Sequence, residues 1–378
     1  MSIDETPWRP AAMSQIESDE EAPPGFVALR FAGPKRMRMM ARMIEPESLS
    51  EPADWSTMVG ELESWGQVPD PDSIESLQKM PSPRGLNAIL QGDSKWLAEF
   101  IPWASDGRIR ARAKAAPEGS RIPIGGYSYE GRDVVILRPL EEESENSAEI
   151  ILNALGSDDA EAAEAELRNS GMVLGRYHTR AEAARLTPSD QSRWNARNQW
   201  LEENLRATFL WRAPFSKDQP CTLSLMDVRL SDISGDSLRI GRTRLADALR
   251  VPVCEFPAMR DLASLAHDLS RLHHDAASNL ELMPLRLALI EGWKSTAPPE
   301  WTSDDAFYSH RGGLAIWEYE QCLMDILEAT SHQSGAPQPA MEILRHVQVY
   351  QKKMFGNRTF GGLSGMAAFF GLVTLYHT

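Results

Sequence analysis

Apolar and polar positions alternate in short runs over the first part of the chain and recur at helical spacing over most of the rest. Residues 25–31 (GFVALRF) alternate with period two, as a half-buried strand does. Between 85 and 140, residues 86–90, 96–101, 108–112, 121–124 and 133–137 are short apolar or alternating runs separated by Gly and Pro. They predict a small antiparallel sheet. The intervening stretch 45–85 is rich in Pro, Glu, Asp and Ser. Trp55, Met58, Leu62 and Trp65 recur in it at helical spacing, predicting one short helix, and the Pro clusters at 69–71 and 81–83 mark linkers.

Beyond residue 157 the helical period dominates. Asp158 and Glu161 suit an N-terminal cap, with Ala160, Ala163 and Leu167 on the inner face. Thr187, Pro188 and Asp190 suit the start of another helix that carries Trp194, Leu201 and Leu205 on one side. Further helices are predicted at about 257–275, 283–295, 312–330, 340–355 and 363–376. One exception interrupts them. Residues 208–211 and 222–226 flank a turn-like APFSKDQP and predict a hairpin whose second strand ends at Asp227. The class is therefore α+β: an acidic, disordered tail over 1–24, a sheet-rich N-terminal lobe over 25–140, and a helical C-terminal lobe over 141–378.

Charge narrows the set of partners. The formal net charge of -15 argues against non-specific binding to nucleic acid or anionic lipid, both of which need basic surface. Residues 141–166 hold ten acidic side chains and no Lys or Arg. Against this background Lys35, Arg36, Arg38 and Arg42, interleaved with Met37, Met39, Met40 and Met43, read two ways. They are either a docking site for an acidic partner or a phosphate, or the solvated face of an amphipathic helix whose inner face the methionines line. Cys221, Cys254 and Cys322 form no CxxC pair, which fits a reducing, cytoplasmic setting. Residues 360–376 carry no charge over 17 positions but are interrupted by four glycines. They read as a buried last helix, with a membrane contact as the alternative.

Motif tests exclude several chemistries. His267, His273 and His274 lack the i, i+4 spacing of a helical metal site. There is no GxSxG nucleophile elbow, no GxxxxGK[ST] loop and no GxGxxG. The strand ending in Leu225-Met226-Asp227 would place a carboxylate at a cleft, as a Mg²⁺ ligand requires, or cap the turn that follows.

In order along the chain, residues 134–140, Val173-Leu174-Gly175-Arg176-Tyr177-His178, Leu225-Met226-Asp227-Val228, Arg260-Asp261-Leu262-Ala263 and Leu289-Ile290-Glu291-Gly292-Trp293 resemble pieces of one family. It is the aminoglycoside-phosphotransferase and lipopolysaccharide-kinase branch of the protein-kinase-like fold. The resemblance implies a two-lobed fold with ATP and Mg²⁺ as cofactors, Asp227 as metal ligand and Lys95 as nucleotide contact. The family's His-Gly-Asp loop with its Asn is expected between Leu210 and Thr222, where the chain reads WRAPFSKDQP. No His-x-Asp and no Asn occurs there, so the catalytic residues stay unassigned. The reading is a degenerate kinase-like protein holding a nucleotide or a phosphorylated small molecule. The alternatives are a non-enzymatic interaction protein and, behind it, a membrane-associated one.

Overall fold

The computed structural model describes residues 6, 8–11, 13–16, 20–33, 37–82, 85–103, 109–140, 145–181, 191–205, 221–240, 244–249, 255–303, 313–332, 335–345, 364 and 366. Period-two alternation builds the first sheet. β1 (Ser14–Ile16), β2 (Phe26–Ala32) and β3 (Arg38–Ile44) pair antiparallel in that order. Phe31 stands opposite Met39 and Val27 opposite Met43. Phe31, Met39, Ala41 and Met43 are buried, so the methionines fill an irregular gap under the sheet.

α1 (Pro52–Val59) starts at Glu51, where Asp54 takes the backbone N–H groups of Ser50 and Glu51. It buries Trp55 and Met58 beneath the main sheet. That sheet comprises β4 (Glu63–Gly66), β5 (Ser76–Ser82), β6 (Gly85–Gln91), β7 (Lys95–Phe100), and, after α2 (Ile109–Ala115), β8 (Gly125–Tyr129) and β9 (Arg132–Pro139). The spatial order is β4-β8-β9-β7-β6-β5, with every neighbouring pair antiparallel.

The helical lobe follows: α3 (Ser147–Gly156), α4 (Ala160–Ala181) and α5 (Gln191–Asn204). Three short strand segments come next, β10 (Cys221–Thr222), β11 (Ile233–Ser234) and β12 (Ser237–Leu238), then α6 (Leu245–Leu249) and β13 (Phe256–Pro257). α7 (Ala258–Asp275), α8 (Leu282–Thr296) and α9 (Leu314–Ser331) complete the described elements. α7 is the helix whose buried side reaches almost all round, from Ala258 to Leu272, as a central helix must. The core around Trp55, Leu90 and Val135 runs on through Phe31 and Met43 to Tyr319, Leu323 and Met324 on α9, so apolar packing joins the sheets to the helical lobe.

Several expectations are corrected. Residues 1–24 are not wholly a tail: β1 pairs with β2, and Trp8 and Met13 are buried because the alternating face of β2 and β3 needs cover. The Met- and Arg-rich segment is strand β3, not a helix, since its buried positions include 39, 41 and 43. Lys35 and Arg36 lie outside the described residues, Arg38 is exposed, and Arg42 is buried against Glu130 and Glu20. Residues 109–115 are helical, 121–124 contribute a single bridge, and the Pro81 linker is part of β5. Asp159, not Asp158, caps α4 by accepting from the Ala162 N–H. Residues 208–220 lie outside the described residues, as do 360–376 apart from Ser364 and Met366. Among the described residues no helix is long and apolar enough to cross a membrane.

α4 and α8 approach backbone to backbone. A Cβ on Gly292 would fall 2.0 Å from the Arg168 carbonyl oxygen, and one on Gly171 2.2 Å from that of Leu289. Backbone cannot yield as a side chain can, so the usual helix-propensity gain of alanine, about 1 kcal/mol, is outweighed. Gly292→Ala is expected to lower the unfolding free energy by about 1–3 kcal/mol in urea denaturation.

Candidate functional site

β9 leaves the main sheet at Pro139 and delivers the chain to the helical lobe. A cavity of about 480 Å³ lies at this junction. Asn87, Ile89 and Leu97 line it from the sheet, Pro139 and Leu140 from the connection, and Arg121, Arg138, Ser231 and Arg239 from the inner side. Its size suits a small-molecule ligand.

Next to it, residues 223–232 form a loop between β10 and β11. β10 pairs with β13, Thr222 opposite Phe256, which brings the loop to the N-terminus of α7. There Asp261 fixes it. Its carboxylate accepts from the Leu225 N–H at 2.8 Å and from the Ser224 hydroxyl. On its other side stands His178 of α4, with Nε2 at 3.1 Å. The Trp293 indole donates to Nδ1 of His178 at 2.8 Å. An indole N–H can only donate, so the imidazole proton resides on Nε2 and points at Asp261. Burial alone would raise the Asp261 carboxyl. The hydrogen bonds from His178, Ser224 and Leu225 outweigh it and hold the group below its ordinary value.

More bonds grip the same loop. Tyr177 donates to the Leu223 carbonyl, Ser264 to that of Val228, and the Leu230 N–H to Asp268. Arg260 gives one N–H to the Met226 carbonyl and another to Glu320 at 2.7 Å. Glu320 also receives Arg197, and Arg197 reaches Asp247. From the sheet lobe, Arg112 of α2 donates to the Ser224 carbonyl at 2.8 Å. Met226 is held at φ +71°, a conformation that favours glycine and that only a strongly determined loop retains.

Asp227 follows that residue and is buried. Its Oδ1 lies 3.4 Å from Nε of Arg229 and 4.0 Å from Nε of Arg244. Arg244 is itself bound to Gln321, Asp325 and Glu328. Two guanidinium groups beside one carboxylate oppose a divalent cation, because they already answer the negative charge it would offer a metal and they repel the metal's own charge. Asp232 directs a carboxylate oxygen to the Arg229 N–H at 2.9 Å. Among the described residues no three His, Cys, Asp or Glu side chains are grouped to hold a metal. The Asp227 surroundings as they stand do not fit Mg²⁺.

Lys95 opens β7 and is exposed. It shares the Leu97 side of the strand, and its carbonyl accepts the N–H of Leu140, which lines the cavity. Two residues past Leu97 on that side comes Glu99, which is buried and ion-paired to Arg138 at 2.8 Å and to Arg239.

This topology decides the fold. A sheet lobe runs through one connecting strand into a helical lobe, and a braced loop follows the short β10–β13 pair. The fold is kinase-like. No protein-family model matches the chain, and no curated protein sequence matches it. Solved structures do. A glucosamine kinase superposes with a TM-score of 0.52 at 10% identity, covering 90% of this chain and 93% of that one. A glucosamine kinase in complex with glucosamine, ADP and inorganic phosphate gives 0.50 at 11% identity, covering 92% and 94%. At such identity the likeness is one of fold.

Within the kinase-like fold, several residues escaped sequence reasoning. Glu99, Arg138 and Arg239 are brought together from β7, β9 and the end of β12, and no local period marks such a meeting. Arg138, inside the apolar run VVILRP, was the available signal: a charge in a buried strand needs a partner. The expected second hairpin strand is also shorter than its apolar pattern, since only Cys221–Thr222 is strand and 223–227 is loop.

Acid should loosen the helical lobe. Asp261 and Asp325 are held below 3.8 and Glu320 below 4.5, Asp261 by hydrogen bonds and the other two by hydrogen bonds and arginine cations that overcome burial. Groups depressed in the folded state add stability that is present above their unfolded values and lost as pH falls through the folded ones. Asp247, raised by burial, works in the opposite direction. Unfolding free energy is therefore expected to fall as pH drops below about 4.5. Asp261→Asn should cost about 2–4 kcal/mol at pH 7 and flatten that decline. Urea titrations across pH 3–7 check both.

Proposed function

We propose that this protein is a drifted kinase-like protein that holds a nucleotide or a phosphorylated small molecule in the cavity between its lobes and has lost efficient phosphoryl transfer. One observation carries the reading. On the cavity side of β7, the third strand of the β5-β6-β7 meander, the inward charge is Glu99 in an ion pair. In protein kinases the third strand supplies the lysine that meets the phosphates. The cavity itself is retained, with a size and position that suit a ligand, and the glucosamine kinase of the same fold was solved with ADP.

Asp227 was expected as a metal ligand. Its place in the loop before the β11–β12 hairpin, with Asp232 five positions later, supports a different assignment. Kinases space their catalytic-loop aspartate and asparagine in that way. Leu225-Met226-Asp227 then stands for the family's His-Gly-Asp, which explains the glycine-like φ of Met226. We therefore assign Asp227 to the base position. Arg229 and Arg244 hold its carboxylate as an anion, and an acid at 232 replaces the asparagine. Both changes are consistent with weak or absent transfer. Lys95, exposed and paired through its backbone with Leu140, is assigned to the outer part of the ligand rather than to its phosphates.

ATP is the first probe. Millimolar ATP should raise the melting temperature by about 1–3 °C, with or without Mg²⁺, while ATP turnover stays at background. Asp227→Asn should leave that shift unchanged. Absence of any shift with ATP or ADP sinks the nucleotide reading. A shift that requires Mg²⁺ and disappears in Asp227→Asn would return Asp227 to the metal.

A further inference from the structure

Arg121 and Arg239 are bridge partners: their backbones pair in parallel, with the Arg121 N–H on the Leu238 carbonyl and the Ile240 N–H on the Arg121 carbonyl. Both line the cavity. Like charges on paired backbones repel, and an anion beside them relieves the repulsion; Arg121 also donates to the Asp232 carbonyl at 3.3 Å. Here that anion comes in part from inside the protein. Glu99 meets Arg239 with one carboxylate oxygen and Nε of Arg138 with the other. Arg138 is immobilised further, since it also donates to the carbonyls of Arg121 and Ile240.

We propose that Arg121 and Arg239 form an anion subsite for the phosphate or diphosphate group of a small ligand, and that the Glu99 carboxylate occupies it from within the sheet. Exposure separates the two sides of the ion pair. The Arg239 side chain is 29% exposed and Glu99 only 1%. Arg239 can turn toward the cavity; Glu99, fixed on a central strand, cannot follow it.

The charges around the cavity support the same arrangement. Arg121, Arg138 and Arg239 face Glu145 and Glu149. Those two acids serve the start of α3, where Glu149 takes the Asn146 N–H and Glu145 the Asn153 amide. Among the described residues, Glu99 balances the set, and without it one positive charge is in excess. The internal carboxylate thus sets the threshold for a phosphate: a ligand binds to the extent that it draws Arg239 away.

This inference rests on the reading that the cavity takes a phosphate-bearing ligand, and two probes keep the two claims apart. Inorganic pyrophosphate and ADP are titrated calorimetrically, without divalent cation, into the full-length protein and its variants. Glu99→Gln removes the competing charge at nearly constant shape and should bind pyrophosphate at least about tenfold more tightly than the wild type. Adding Arg239→Ala should abolish that gain. Glu99→Asp keeps the charge but withdraws it by one methylene, and should fall in between; it decides the question if Glu99→Gln does not fold. Equal pyrophosphate affinity in wild type, Glu99→Gln and Glu99→Asp overturns the inference, as does a gain that survives Arg239→Ala. Tighter pyrophosphate binding with no ADP binding to any variant supports the subsite and overturns the nucleotide reading. ADP binding that is identical in all variants overturns the subsite and leaves that reading standing.

Discussion

The carboxylate of Asp261 is the point on which the helical lobe turns. It sits at the start of α7 and joins three segments distant in sequence: the end of α4 through His178, the loop after β10 through Ser224 and Leu225, and α7 itself. Such a group is costly to bury. It is tolerated because its neighbours donate to it, and the Trp293 bond keeps the His178 proton on the correct nitrogen. The residues around it are in turn over-determined. Met226 can hold a positive φ because Arg260 fixes its carbonyl and Asp261 fixes the residue before it.

The second layer is the ion network of Arg260, Glu320, Arg197 and Asp247, which crosses α7, α9, α5 and α6. Buried ion pairs add little net stability relative to apolar packing, but removing one partner leaves a stranded charge. A network of this kind therefore selects one arrangement of helices over its competitors more than it deepens the well. The arrangement selected sets the backbone of the loop that carries Asp227. Arg244 extends the same logic to the surface, tying that loop to α9 through Gln321, Asp325 and Glu328.

Elements with a strong local period were readable in the sequence, and long-range pairings were not. β2, β6, β7 and β9, with α7, α8 and α9, follow runs of period two or 3.6 closely. β3 reads as a helix in the sequence because methionine and arginine are good helix formers. Only pairing with β2 fixes it. β4 and β8 contain too few apolar residues to stand out, and their strand identity comes from each other. The same division holds at the site. Asp227, His178 and the Arg260–Asp261 pair were singled out by order along the chain, whereas Glu99 became visible only once β7 lay beside β9 and Arg239.

The proposed loss of transfer rests on where this kinase-like fold places its charges. Phosphoryl transfer needs cations that meet the phosphates and an aspartate free to take a proton. In this chain a carboxylate faces inward on β7, two arginines flank Asp227, and three more, Arg121, Arg138 and Arg239, gather at the connection between lobes. Under the proposed reading each of these placements weakens transfer. Together they form a self-consistent set, because every relocated charge has a partner: Glu99 with Arg138 and Arg239, and Asp227 with Arg229 and Arg244. Compensated charges around a cavity of about 480 Å³ fit the proposed reading, in which the fold serves binding rather than transfer.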